Sequence, residues 1–292
     1  MGLLNKLGGR HRLLGNVVTR NLARGAVRMN IGHVWDVAES FRGVFRFRGH
    51  GVSACYELGP RDSVGELLYW CGLKRLEPST VPVFIELARK SRGILDVGSN
   101  TGLYALLACA ANPAAKVFAW EPAPYLAGKL RANIALNGFG SRCECREAAV
   151  ASSDGQADFY ISDDATMSSL SVVYASDFAH TATKTTVRME RVDAVVPVDC
   201  PIDLMKVDVE GYEFEALSGA TGILRRWQPA IIFECLPRTA PGPIETLLRE
   251  IGYSIHRLSS GPPVEIESIS ASPSGDNNYL ATSSASMRVL RC

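Results

Sequence analysis

The stretch Ile94-Leu95-Asp96-Val97-Gly98-Ser99-Asn100-Thr101-Gly102 decides the fold. A short apolar run leads into a turn with two glycines, and Leu103 to Ala111 continues as an apolar segment of helical length. Strand, tight turn and helix in that order present backbone amides at a helix N-terminus, where nucleotide-type ligands are held. Gly98 and Gly102 are expected to let the backbone approach such a ligand.

Two residues select among cofactors. A dinucleotide fingerprint spaces three glycines as G-x-G-x-x-G directly after its strand, whereas here Asn100 takes the middle position and Asp96 ends the strand. That carboxylate would repel a pyrophosphate. A sulfonium with a cationic amino-acid head would be attracted by a few kcal/mol in a partly buried site. S-adenosylmethionine is the expected cofactor, ahead of a nicotinamide dinucleotide.

From Gly93 onward the rhythm is regular. Strands are predicted at 94–97, 116–120, 143–150, 157–162, 187–192, 203–208 and 230–234, with later ones at 253–258 and 278–282. Helices are predicted at 102–111, 124–137, 212–227 and 243–251. This alternation implies an α/β domain over 91–292, a mostly parallel sheet with helices on both faces. The polar stretch between Ser162 and Thr186 reads as a loop, of the kind that contacts substrate. Residues 1–90 read as an N-terminal extension and cover, with a strand at 44–47 and helices at 64–71 and 81–90.

Composition excludes several classes. A formal net charge of +1 gives no global reason to expect nucleic acid, and no apolar run reaches the roughly 18 residues needed to span a bilayer. The eight cysteines lack paired C-x-x-C spacing and mostly sit in apolar segments, which suggests reduced thiols and a cytoplasmic protein. Residues 1–30 carry Lys6, Arg10, Arg12, Arg20, Arg24 and Arg28 without an acid, and Leu3, Leu7, Leu14, Val18 and Leu22 recur at helical spacing. Such a segment either packs on the domain with a solvated basic face or makes peripheral contact with a membrane surface.

In an open α/β sheet the ligand lies at the carboxyl ends of the strands, and here those ends are acidic. Asp96, Glu121, Asp208, Glu210 and Glu234 close four of the strands and would converge on one crevice. Glu121 stands about 20 residues beyond the glycine turn, where an acid accepts hydrogen bonds from both ribose hydroxyls. In Lys206-Val-Asp-Val-Glu-Gly-Tyr-Glu213, Asp208 is expected to face the cofactor and Glu210 the substrate. Two other accounts of these acids remain open, a helix-capping role for Glu210 and Glu213 and joint coordination of a divalent cation.

The motifs Asp96-Val-Gly-Ser-Asn-Thr-Gly102, Trp120-Glu-Pro122, Val192-Asp193, Leu204 to Glu213 and Ile231-Ile-Phe-Glu234, taken in order, resemble the FkbM family of S-adenosylmethionine-dependent methyltransferases. The likeness runs from about residue 93 to 282. Ser99 replaces the family's usual alanine, Trp120 its phenylalanine and Val207 its isoleucine; none of these changes removes a functional group.

The resemblance implies a class I (Rossmann-like) three-layer fold with a seven-stranded sheet and O-methylation of a sugar, glycolipid or secondary metabolite; no residue is assigned to a metal. It further implies that Asp96, Gly98, Ser99, Asn100, Thr101 and Gly102 surround the methionine portion. Glu121 and Pro122 would stand at the ribose, and Glu147 and Ala148 beside the adenine. Removing the hydroxyl proton calls for a base. The candidates are Glu210, then Glu234, then His180 in the polar loop, while Arg188, Arg191 and Lys206 either contact substrate or pair with the acids. The competing readings are a nicotinamide-dependent oxidoreductase and a non-catalytic binding protein on the same fold.

Overall fold

A computed structural model describes residues 42–60, 62–162, 168–169, 182–236, 239–270 and 277–291. It begins with a hairpin of β1 (Gly43–Gly49) and β2 (Val52–Leu58). The two-residue turn His50-Gly51 takes positive φ at both positions, 48° and 76°, which suits the twist of paired strands. Helices α1 (Ser63–Cys71) and α2 (Val81–Ala88) follow, with Asp62 capping α1 by accepting from Gly65 N at 2.7 Å. A helical extension was the expectation; over 42–90 a hairpin precedes the helices, and segment 1–30 lies outside the described residues.

The chain continues through β3 (Gly93–Val97), α3 (Leu103–Ala111), β4 (Lys116–Trp120), α4 (Pro124–Leu136), β5 (Cys143–Arg146), β6 (Ala149–Val150), β7 (Gly155–Ser162), β8 (Ser168–Ser169) and β9 (Ala182–Glu190). Next come α5 (Val192–Val195), β10 (Leu204–Val207), α6 (Glu213–Ser218), α7 (Thr221–Trp227), β11 (Ala230–Glu234) and α8 (Pro241–Ile251). Strands β12 (Ser254–Arg257), β13 (Val264–Glu265) and β14 (Asn278–Thr282) lead to α9 (Ser284–Arg291).

The main sheet has the order β13-β12-β14-β11-β10-β3-β4-β5. Its five strands from β11 to β5 run parallel, and β14 is antiparallel to both of its neighbours. Eight strands replace the expected seven, because the two-residue β13 adds an edge. Successive residues of one strand serve opposite faces. Ile94 and Val117 join Tyr56, Trp70, Phe84 and Leu107 on one face, while Leu95, Val97 and Phe118 join Leu217, Leu224, Ile244 and Leu248 on the other. Burial on both faces explains why β3 and β11 are almost wholly apolar.

Three boundaries differ from the sequence reading. The strand expected over 143–150 breaks after Arg146, and its last two residues pair with β9 in a second sheet ordered β6-β9-β7-β8. That sheet has its own small core, in which Ala149, Phe159 and Val187 meet Ala123 and Leu126. Strand β9 already begins at Ala182, inside the expected loop, and ends at Glu190, so Val192 starts a helix. The helix expected over 212–227 is divided because Asp193 caps its second half from outside, accepting from Gly222 N at 2.7 Å and Ile223 N at 2.9 Å. No helix among the described residues is long and apolar enough to cross a membrane.

Candidate active site

Strand order reverses between β3 and β10, with β4 and β5 on one side and β11 on the other. A cleft opens there, at the carboxyl ends of the strands. The turn after β3 forms its floor. Gly98 N and Ser99 N donate to Trp120 O at 3.0 and 2.8 Å, and Thr101 N donates to Asn100 Oδ1 at 2.8 Å. Thr101 Oγ1 lies 2.5 Å from the Tyr56 hydroxyl, which also bonds Asp62. The hairpin thereby braces the turn.

Gly98 lines the cleft, and both glycines have a packing role besides. A Cβ on Gly98, where φ is +81°, would stand 1.8 Å from the Asp208 carbonyl oxygen, and one on Gly102 would stand 2.7 Å from Leu130 Cδ1. Their missing side chains therefore make room for β10 and α4 to close on the turn.

Glu121 is 4% exposed and lines the cleft beside this turn. Its Oε2 accepts from Asn100 N at 2.9 Å and its Oε1 from Ala123 N at 2.8 Å, which leaves acceptor capacity on both oxygens. Burial pushes its pKa up to about 7, opposed by those two amides. Pro122, Trp120, Phe159 and the run from Ala148 to Val150 continue the wall as a mostly apolar slot.

Asp96 lies beneath the turn, 1% exposed and outside the lining of the cleft. Burial lifts it to about 7, opposed by Ser99 and Lys206. Its Oδ2 has no hydrogen-bond partner among the described residues.

The end of β10 holds the second group of charges. Lys206 is fully buried, with its Nζ 3.0 Å from Asp208 Oδ2 and 5.1 Å from the centre of the Tyr104 ring. Burial alone would lower this ammonium, but the carboxylates of Asp208 and Glu77 hold it above its ordinary value. Asp208, Glu210 and Glu234 each bring one oxygen within 4.8 Å of the others. Burial, and then the charge of Asp208, raises both Glu210 and Glu234. Acids arranged in this way can share protons or gather a cation. Glu210 lines the cleft at φ 52°, whereas Glu234 is outside the lining. Glu213 is buried and accepts from Gly211 N at 2.9 Å, a bond within the turn ahead of α6, whose N-cap Tyr212 makes no side-chain cap bond.

The remaining predicted residues separate cleanly. Ser99, Asn100, Thr101, Pro122, Ala148 and Asp208 line the cleft. Glu147 faces outward and pairs with Arg131 at 2.8 Å, because β5 ends just before it and its side chain falls on the exposed side. Arg188 pairs with Glu190, and Arg191 with Asp154 at 3.6 Å. His180 lies outside the described residues. Glu77, Tyr104, Phe159 and Tyr212 also line the cleft, and the sequence reading missed them.

The fold is an α/β fold on a mostly parallel central sheet with its cleft at the switch point. The sequence model of the methyltransferase FkbM domain matches residues 96–255, and the chain belongs to that family. Methyltransferase sdnD of Sordaria araneosa is 29% identical over 200 residues, 56% of this chain and 74% of that protein. Among solved structures, the methyltransferase FkbM from Methylobacillus flagellatus KT is similar at 15% identity and a TM-score of 0.44. That alignment covers 92% of this chain but only 60% of the other. The O-methyltransferase from Bacillus cereus, solved in complex with SAH, is similar at 14% identity and a TM-score of 0.40, over 72% and 83% of the two chains.

Proposed function

We propose that this methyltransferase uses S-adenosylmethionine and acts on a hydroxyl of a sugar, a glycolipid or a secondary metabolite. One observation carries the reading. One crevice pairs an amide-held carboxylate beside a tight turn with Asp208 and Glu210 across the switch point, and Glu234 stands within 4.8 Å of those two. The residues suit the cofactor: Glu121 retains lone pairs for two ribose hydroxyls, and the slot of Ala148 to Val150 with Phe159 suits an adenine ring.

When bound, the cofactor supplies an electrophilic methyl group on a cationic sulfur. The acids around the cleft, with Lys206 already paired to Asp208, favour an incoming positive charge. Glu121 and Pro122 would hold the ribose, and Ser99, Asn100 and Thr101 the floor beneath the amino-acid portion. Such positioning is worth about 7–11 kcal/mol in well-oriented reactions. Glu210 takes the acceptor's hydroxyl proton, and Glu234 shares it.

The test is transfer of labelled methyl from S-adenosylmethionine to a panel of glycans, glycolipids and hydroxylated metabolites. The expected product is a methyl ether. Label on nitrogen or carbon alone overturns O-methylation, and binding of NAD without S-adenosylmethionine revives the oxidoreductase reading. The basic segment 1–30 favours a lipid-linked acceptor, which co-sedimentation with anionic vesicles checks. A second reading follows from the 4.8 Å grouping of Asp208, Glu210 and Glu234, in which they hold a divalent cation. Loss of turnover in chelator, restored by magnesium, would select it; unchanged turnover is expected.

A further inference from the structure

We infer that Glu77, from the segment ahead of the glycine turn, receives the ammonium group of the cofactor's amino-acid head, the contact that the sequence suggested for Asp96. The inference rests on the S-adenosylmethionine reading. Asp96 cannot make that contact in this geometry. It is 1% exposed, and its unpartnered oxygen is closed to water; an ammonium group is no smaller than water.

Glu77 does line the cleft. It lies outside residues 96–255, the part matched by the family's sequence model, so the contact would come from the N-terminal segment. Its backbone adopts φ 40°, left-handed for a non-glycine residue and further restricted by the proline that follows. The fold maintains this conformation. The Glu77 carbonyl accepts from Thr80 N and Val81 N, both at 3.0 Å, at the start of α2, and the Tyr104 hydroxyl donates to its carboxylate. Five non-glycine residues among those described have positive φ, and three of them, Glu77, Asn100 and Glu210, line this one cleft. Strain concentrated at one site points to function.

Position along the cleft selects the ligand group. The adenine and ribose contacts lie toward β4 and β5, at Ala148, Phe159 and Glu121. Glu77 lies toward the opposite end, because Tyr104 joins it to Lys206 and Asp208 at the end of β10. With adenine and ribose placed as proposed, the amino-acid head of the cofactor would extend to that end. Lys206 is already paired with Asp208. A carboxylate accepts and an ammonium offers three donors, so the two are complementary in charge and in hydrogen bonding.

The test is calorimetry on the full chain with two nucleosides. S-adenosylhomocysteine carries the amino-acid head, and 5′-methylthioadenosine lacks it. Glu77→Gln keeps an acceptor for Tyr104 and removes the charge. It is expected to weaken S-adenosylhomocysteine about tenfold or more and to leave 5′-methylthioadenosine within about twofold. Tyr104→Phe, which keeps the ring over Lys206, should show a smaller loss of the same selectivity. Equal weakening of both ligands, or no weakening of either, overturns the assignment. A wild-type chain that binds neither nucleoside overturns the cofactor reading itself, and this inference with it.

Discussion

The turn after β3 and the turn after β10 press against each other at Gly98, and each contains a left-handed non-glycine residue, Asn100 in one and Glu210 in the other. They differ in how their acids are satisfied. Beside the first, both oxygens of Glu121 accept backbone amides. At the second, Asp208, Glu210 and Glu234 face one another, and Lys206 neutralises one of them. An acid held by fixed amides is positioned to bind. An acid held among other acids has a mobile proton, and chemistry needs that mobility.

The contact between the turns is the first thing to break. Gly98→Ala would drive a methyl into the Asp208 carbonyl at a left-handed position, and a loss of about 3–5 kcal/mol is expected in thermal or denaturant unfolding. Glu210→Gln attacks the mobile-proton side alone, so kcat should fall about 10²–10⁴-fold with cofactor affinity nearly unchanged. Burial and the charge of Asp208 push Glu210 up to about 8. The basic form therefore accumulates as pH rises, and wild-type turnover should climb between about pH 6 and 9. The variant should give a flat profile.

Glu121→Ala attacks the amide-held side. Calorimetry should show cofactor affinity falling about 100-fold, with residual turnover at saturating cofactor. Asp96 titrates near 7 in the folded chain, because burial disfavours its charged form. The unfolded carboxyl titrates near about 4, so between these values the folded state holds a proton the unfolded state has lost, and stability falls as pH rises. Melting temperature should be higher at pH 5 than at pH 8, and Asp96→Asn should shrink the difference. The smallest effect is reserved for Ser99→Ala. Its hydroxyl donates to the Asp96 carbonyl at 2.7 Å, and a change within about 1 kcal/mol with unaltered cofactor affinity is expected.

 The parallel strands and the acids at their ends were legible because each depends on local pattern: apolar runs, a glycine turn, and the 19 positions from Gly102 to Glu121. Nothing distant in the chain is needed to read it. Glu77, Tyr104 and Phe159 were illegible for the opposite reason. Each enters the cleft through a tertiary contact: Glu77 is joined to Tyr104 27 positions away, and Phe159 reaches α4 through the small core of the second sheet. Strand β2 is an intermediate case, since its alternation of buried and open residues was present in Val52 to Leu58 and went unread. The divided helix after β10 depended on Asp193, about 30 positions upstream of the amides that it caps.

The bond between Tyr56 and Thr101, together with the core that Trp70 and Phe84 share with Ile94 and Val117, has an evolutionary consequence. A segment that only covered a cofactor domain could be exchanged between relatives as a cassette, carrying a new acceptor preference with it. Here exchange would remove a wall of the core and the brace of the cofactor turn together. New acceptors must be gained by substitutions within the segment, one compatible residue at a time.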